Sequence, residues 1–335
     1  MITNSLFYWL VIGRKWSPAQ AQIGPMPLTE PPSTTIPIMK STTKAQPPAA
    51  MHAMIEAVDA DLQARVSRQP LPPKLAEAVH YGVCGGGKRV RPVLALMSCE
   101  AVGGDIEKAR CAAAAVELIH CFSLIHDDLP ALDNDELRRG QPTLHIRSGE
   151  AMAILAGDVM MSLALTWLTE DEAEDRTRSL LSNELAAATT AMIVGQVYDT
   201  LGGVDESLDK LHQLEEIHRN KTGALIRCAC RMGAICGDAD DAQLMAITQY
   251  GQAMGLMFQV VDDLLDVTQS TEVMGKATGK DETAGKMTYP GILGIDATRQ
   301  TIEKLRQEAL GALNQFGPEA EGLRDFCRFM AIRSH

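Results

Sequence analysis

The chain has 335 residues, 46% of them hydrophobic, enough to bury a large core as one big domain or two ordinary ones, and this excludes a disordered protein. A formal charge of -12 excludes a general nucleic-acid role, because a phosphate backbone needs a basic face. Aromatic residues make up only 4%, and the long apolar segments are broken mostly by single glycines, which predicts an all-α fold.

In chain order, residues 1–50 are rich in Pro, Ser and Thr ("PMPLTEPPSTTIPIMKSTTKAQPP") and lack helical periodicity, so they read as a disordered leader. The apolar run "LFYWLVI" (6–12) is too short to span a membrane, and Arg14 and Lys15 follow it where a signal peptide has its charges in front. Met51 or a nearby methionine is an alternative beginning for the working protein. Residues 51–335 are expected to form one catalytic domain. From "AMIEAVDADLQARV" (53–66) onward, apolar residues recur at three- and four-residue spacing. Turn signals at "QPLPPK" (69–74), "CGGGKRVRP" (84–92), "VGGD" (102–105), "RRGQP" (138–142), "LGGVDE" (201–206) and "CGDAD" (236–240) divide them into about ten helices. No strand alternation and no internal repeat is visible.

The eight cysteines form no C-x-x-C pair and no zinc spacing, and their apolar contexts make them small buried hydrophobes of a reduced, cytoplasmic protein.

Two acidic clusters stand out. The first, "LIHDDLPALDNDELRRG" (124–140), sets Asp127, Asp128 and Asp133 close together directly after the apolar run "AAAAVELIHCFSLI". Like charges at that density need a cation. The second, "FQVVDDLLDV" (258–267), places Asp262 and Asp266 four apart on one helix face with Asp263 flanking, inside an apolar helix, so they are expected to border a cavity. Oxygen-rich clusters on two helices suit Mg²⁺, which completes its shell with water and substrate phosphate oxygens. Basic groups that such a substrate needs are present in "GGGKRVRP" (Lys88, Arg89, Arg91), "LRRG" (Arg138, Arg139) and "HRNKTGALIR" (Lys221). The glycine-rich stretch lacks the P-loop spacing.

From about residue 52 to the C-terminus these stretches resemble the trans-polyprenyl diphosphate synthases. The family's motifs occur in order: "GGKRVRP", the first aspartate-rich motif, "LAGD" (155–158), "KTGAL" (221–225), the second aspartate-rich motif, then "GKATGKD" and "KMTYP". The resemblance implies one large helical bundle around a central elongation cavity and a homodimer without a stable membrane anchor. It also implies a condensation of isopentenyl diphosphate with allylic diphosphates. It assigns Asp127, Asp133 and Asp262, with Asp128 and Asp266, to Mg²⁺, in about three ions once substrate is bound, with Mn²⁺ as a substitute. Lys88, Arg91, His120 and Arg139 match the isopentenyl diphosphate pocket. Arg138, Lys221, Thr222, Gln259 and Lys276 match contacts to the allylic diphosphate and the reacting chain. His126 and His145 receive no role.

Chain length in this family is limited below the first motif. Phe122 lies five positions before Asp127 and Ser123 four, so the Phe122 ring sits slightly more than one turn deeper on about the same face, where it should stop growth early. With four residues between Asp128 and Asp133, this resembles the farnesyl (C15) type. The geranylgeranyl (C20) type is the alternative, since "FQVVDDLLDVTQSTEVMGK" looks as much like that group. Asn134 and Glu136 depart from the family, standing where many relatives have aspartates. Two rivals are a terpene cyclase, which usually lacks the second aspartate motif and "GGKRxRP", and a non-catalytic subunit of a heteromeric prenyltransferase, which typically loses an aspartate cluster.

Overall fold

The computed structural model describes residues 49–170, 173–274 and 287–332. The chain divides into Met1–Thr42 and Thr43–His335. The described residues all lie in the second unit, so the expected leader falls outside them except for its last two residues, which begin the first helix.

The fold is all-α, as expected. Helices α1 (Ala49–Ser67), α2 (Pro73–Cys84) and α3 (Val90–Ala101) lead to α4 (Arg110–Asp127). The single-turn α5 (Leu144–Ser148) precedes α6 (Glu150–Glu170) and α7 (Asp175–Leu201). Next come α8 (Lys210–His218), α9 (Ala224–Cys236) and the long α10 (Asp241–Met274), then α11 (Tyr289–Leu293), α12 (Ile295–Ala312) and α13 (Glu321–Ile332).

Helix α4 is buried nearly all round by its alanines and by Val116, Leu118, Ile119 and Ile125, which makes it the central helix. It packs on α6 and α3, while α9 packs against α3, α10 and α7. One apolar cluster centres on α4, α6 and α7, and a second on α3, α10, α12 and α13. All eight cysteines are free thiols; seven are buried and Cys84 is half-buried. Burial pushes Cys121 and Cys230 up to about 12, so these thiols act as apolar filling.

One element escapes the sequence reading. Leu137–Arg138 (β1) pairs antiparallel with Gln141–Pro142 (β2), Arg138 opposite Gln141. The two-residue connection has positive φ at Arg139 (52) and Gly140 (75), as a type I′ turn demands. Strands of two residues are too short to show alternation.

Candidate active site

Helix α4 carries the first acidic motif to the point where it stops. Leu129 precedes Pro130, which disfavours the helical conformation, and the chain turns after Asp127. The Asp133 amide then donates to the Asp127 carbonyl (2.8 Å) and the Asn134 amide to the Leu129 carbonyl (3.1 Å). The four residues between Asp128 and Asp133 therefore form a closed loop that returns the Asp133 backbone to Asp127. Asn134 sits at φ 52, a conformation asparagine tolerates, which accounts for one departure from the family pattern.

Asp127 is half-buried. Burial pushes its carboxyl up to about 6, Asp133 and Asp128 push the same way, and Lys221 and Arg138 oppose them. A carboxylate cluster so poorly compensated fits a hard cation. Among the described residues no three His, Cys, Asp or Glu side chains converge closely enough to hold a metal by themselves. The donor set thus suits an ion that completes its shell with substrate oxygens.

Asp128 is turned the other way. Arg138 Nε donates to both of its carboxylate oxygens (2.8 and 2.9 Å) and Nη2 donates to Oδ1 (2.5 Å). The expected metal-side carboxylate and the expected diphosphate-binding arginine are here joined to each other. Arg139, aimed by its left-handed turn, donates to the Gly86 carbonyl, so the hairpin is fastened to the glycine-rich loop.

Lys221 and Thr222 sit on a π-turn, Arg219–Gly223, between α8 and α9, an irregularity frequent at functional sites. Gly195 on α7 lets two backbones meet there: a Cβ on it would overlap the backbone of Lys221 and Asn220. Lys221 Nζ donates to Asp199 Oδ2 at 2.6 Å.

A cavity of about 400 Å³ joins these groups. It is lined by Arg91, His120, Phe122, Ser123, Asp127, Lys221 and Thr222, all expected site residues, together with His126, Gln196 and apolar side chains of α7. Burial and the surrounding Arg91, Arg139, Arg138 and Arg89 hold His120 well below its ordinary value of 6.5, so the imidazole is neutral among cations. Lys88, Asp133, Gln259, Asp262 and Asp266 are not among the residues lining this cavity. Gln259 and Asp262 are half-buried on α10, and Lys276 lies outside the described residues.

The second acidic motif divides its labour. Asp266 is exposed, so the spacing argument places it on the helix but not in a shared cavity. Asp263 Oδ2 accepts from the Tyr289 amide (3.0 Å) and lies 3.3 Å from His218 Nε2, tying α10 to the helix that leads into the π-turn.

Sequence reasoning missed three residues here. Gln196 has both amide atoms buried without a hydrogen-bond partner, aimed at the cavity it lines. Asp199 holds Lys221. His126 approaches α6 with Nε2 3.1 Å from the Ile154 carbonyl, a fit permitted by Gly157 of "LAGD", where a Cβ would overlap the ring.

The polyprenyl synthetase family model matches residues 72–316. The chain belongs to that family. It is 46% identical over 288 residues to geranylgeranyl pyrophosphate synthase 9, chloroplastic, of Arabidopsis thaliana, covering 83% of this chain and 79% of the relative. Among solved structures it is similar to an FPP/GFPP synthase from Zymomonas mobilis (34% identity, TM-score 0.73, 84% and 99% coverage). A second is a geranylgeranyl pyrophosphate synthetase from Pyrococcus horikoshii (29%, 0.75, 85% and 98%). As a member of the polyprenyl synthetase family the protein is an enzyme, a prenyltransferase acting on isoprenyl diphosphates.

Proposed function

We propose that this polyprenyl synthetase condenses isopentenyl diphosphate with allylic diphosphates up to geranylgeranyl diphosphate, a C20 product. The observation that carries this reading is the 46% identity, over 83% of the chain, to a geranylgeranyl pyrophosphate synthase. It takes the place of the C15 product expected from Phe122. The Phe122 ring packs edge-on against His126 of the same helix, with centroids 5.4 Å apart.

Chemistry follows from charge. Asp127 and Asp133, with Asp262 of the second motif, would hold Mg²⁺ or Mn²⁺, which when bound neutralises the diphosphate leaving group. Lys221 and Arg138, with Lys276 by the family resemblance alone, would stabilise the same developing charge. When the C1–O bond of the allylic substrate breaks, the carbocation needs dipoles that cannot capture it, and the Gln196 amide and Thr222 hydroxyl in the cavity wall would supply them. C4 of isopentenyl diphosphate, held by Lys88, Arg91 and Arg139 beside neutral His120, bonds to C1. A proton then leaves C2 for the released diphosphate.

We also propose a homodimer. Helices Ile106–Asp127 and Glu150–Thr169 are both long and apolar enough to cross a membrane, but the first is 72% buried in the core and the second 39%. The exposed face of α6 presents Ile154, Leu155, Met161 and Leu165 at helical spacing, a patch suited to a second copy. Free thiols throughout suit a reducing compartment, and we retain the cytoplasm as the proposed one.

The test is to incubate purified protein with isopentenyl diphosphate, dimethylallyl diphosphate and Mg²⁺, dephosphorylate, and size the alcohols. A dominant C20 alcohol is expected. A dominant C15 alcohol restores the farnesyl reading, and no elongation restores the non-catalytic subunit.

A further inference from the structure

Between the two cations expected to bind isopentenyl diphosphate, Lys88 and Arg91, stands an arginine that cannot bind it. The Arg89 side chain is 1% exposed. Its Nε donates to Asp59 Oδ1 on α1 (2.7 Å), Nη1 to Glu117 Oε1 on α4 (2.8 Å), and Nη2 to the Val83 carbonyl on α2 (2.6 Å). Three of its nitrogens thus reach three helices from a loop that has no regular structure of its own.

The backbone at this position is also unusual. Arg89 is the N-cap of α3 with φ 46 and ψ 37, left-handed, and no side chain caps the helix there. A non-glycine residue in that region persists only where its surroundings over-determine it. The buried guanidinium network does so, since the torsion that turns the Arg89 side chain into the core also sets the directions of its neighbours.

Glu117 connects this network to the cavity. It lies one helical turn before His120 on α4, its side chain is 2% exposed, and its second oxygen, Oε2, is buried without a hydrogen-bond partner. Arg91 senses the Glu117 charge and itself leaves Nε buried and unpartnered beside His120 in the cavity wall.

We infer that Arg89, clamped by Glu117 and Asp59, is a positioning residue for the homoallylic substrate, fixing Arg91 against His120 and holding the backbone that carries the exposed Lys88, so that the isopentenyl diphosphate pocket is formed before substrate arrives. The inference rests on the reading of Lys88, Arg91 and His120 as that pocket. Its consequence is selective: loosening the clamp displaces the isopentenyl diphosphate cations and leaves the Asp127, Lys221 and Thr222 side untouched.

The experiment is steady-state kinetics of the full-length enzyme with each substrate varied at saturating co-substrate, on Arg89→Lys, Asp59→Asn and Arg91→Lys. Arg89→Lys keeps the charge but loses the three-way fork, and Asp59→Asn removes only the charge of the half-exposed leg, so both variants should fold. The expected result is that KM for isopentenyl diphosphate rises ~10-fold or more in Arg89→Lys and ~3-fold in Asp59→Asn, with KM for the allylic diphosphate unchanged. Arg91→Lys raising that KM while both clamp variants leave it at the wild-type value overturns the inference. So does an equal rise in both KM values, which would mark a general loss of structure. If Arg91→Lys leaves KM unchanged, the underlying pocket assignment fails instead.

Discussion

Asp128 and Arg138 form a closed pair: three hydrogen bonds of 2.5 to 2.9 Å join them, and the Asp128 side chain is only 4% exposed. The middle of three neighbouring aspartates is thereby engaged by protein, while Asp127 lines the cavity and Asp133 is exposed to solvent. Breaking a buried pair strands the remaining charge, and because Arg138 is itself a third exposed the cost should be about 1–3 kcal/mol. Arg138→Gln and Asp128→Asn should both lower the melting temperature. Asp133→Asn, at an exposed carboxylate, should abolish most activity without moving it. Equal melting curves for Asp128→Asn and wild type would show that Asp128 is free to serve a metal.

Gly195 carries a second prediction. A methyl group on it would overlap the Lys221 backbone, and neither α7 nor the π-turn has a flexible side chain there to give way. Gly195→Ala should destabilise the protein by about 1–3 kcal/mol and reduce kcat through displaced Lys221 and Thr222. Thermal melts together with kcat measure both. A variant with normal kcat would mean that the π-turn can shift without harm to the reaction.

Product length should respond to a chain of contacts running from α6 to the cavity. Gly157 admits the His126 ring, His126 meets the Ile154 carbonyl, and the edge of Phe122 packs against His126. Phe122→Ala should move the product to the next five-carbon size. Gly157→Ala, which never touches substrate, should also change the product ratio by displacing His126. Product sizing of both variants decides this, and an unchanged ratio in Phe122→Ala would remove α4 as the length gauge.

The all-α class, the two acidic motifs and the basic loops were legible because helical periodicity, like-charge density and glycine-flanked lysine and arginine are local signals. Which carboxylates share a cavity was not legible. The four-residue spacing of Asp262 and Asp266 described one helix face correctly, but solvent reaches that face at Asp266, and Asp263, ranked as a flank, binds Tyr289 and His218 instead. Arg89 was legible as a cation but not as a buried one, since its partners Asp59 and Glu117 lie 30 and 28 positions away. Gln196 was hidden for the opposite reason: a single amide in an Ala-rich helix has no pattern until the cavity beside it is known.

The last prediction concerns pH. His120 is held well below its ordinary value of 6.5 by burial first and then by Arg91, Arg139, Arg138 and Arg89, whereas in the unfolded chain it titrates normally. Below pH 6.5 the unfolded state therefore binds a proton that the folded state refuses, so this group makes stability fall as pH falls, by at most about 1.4 kcal/mol per pH unit. Above pH 6.5 both states are neutral and the effect vanishes. Melting temperatures measured from pH 7.5 to 5 should decline more steeply for wild type than for His120→Gln. A diphosphate placed among the same arginines offsets their repulsion and should raise the His120 pKa, so in titration calorimetry at pH 6 binding of isopentenyl diphosphate should take up protons that the His120→Gln variant does not. Identical pH slopes and identical proton uptake in the two proteins would place His120 outside the arginine cluster.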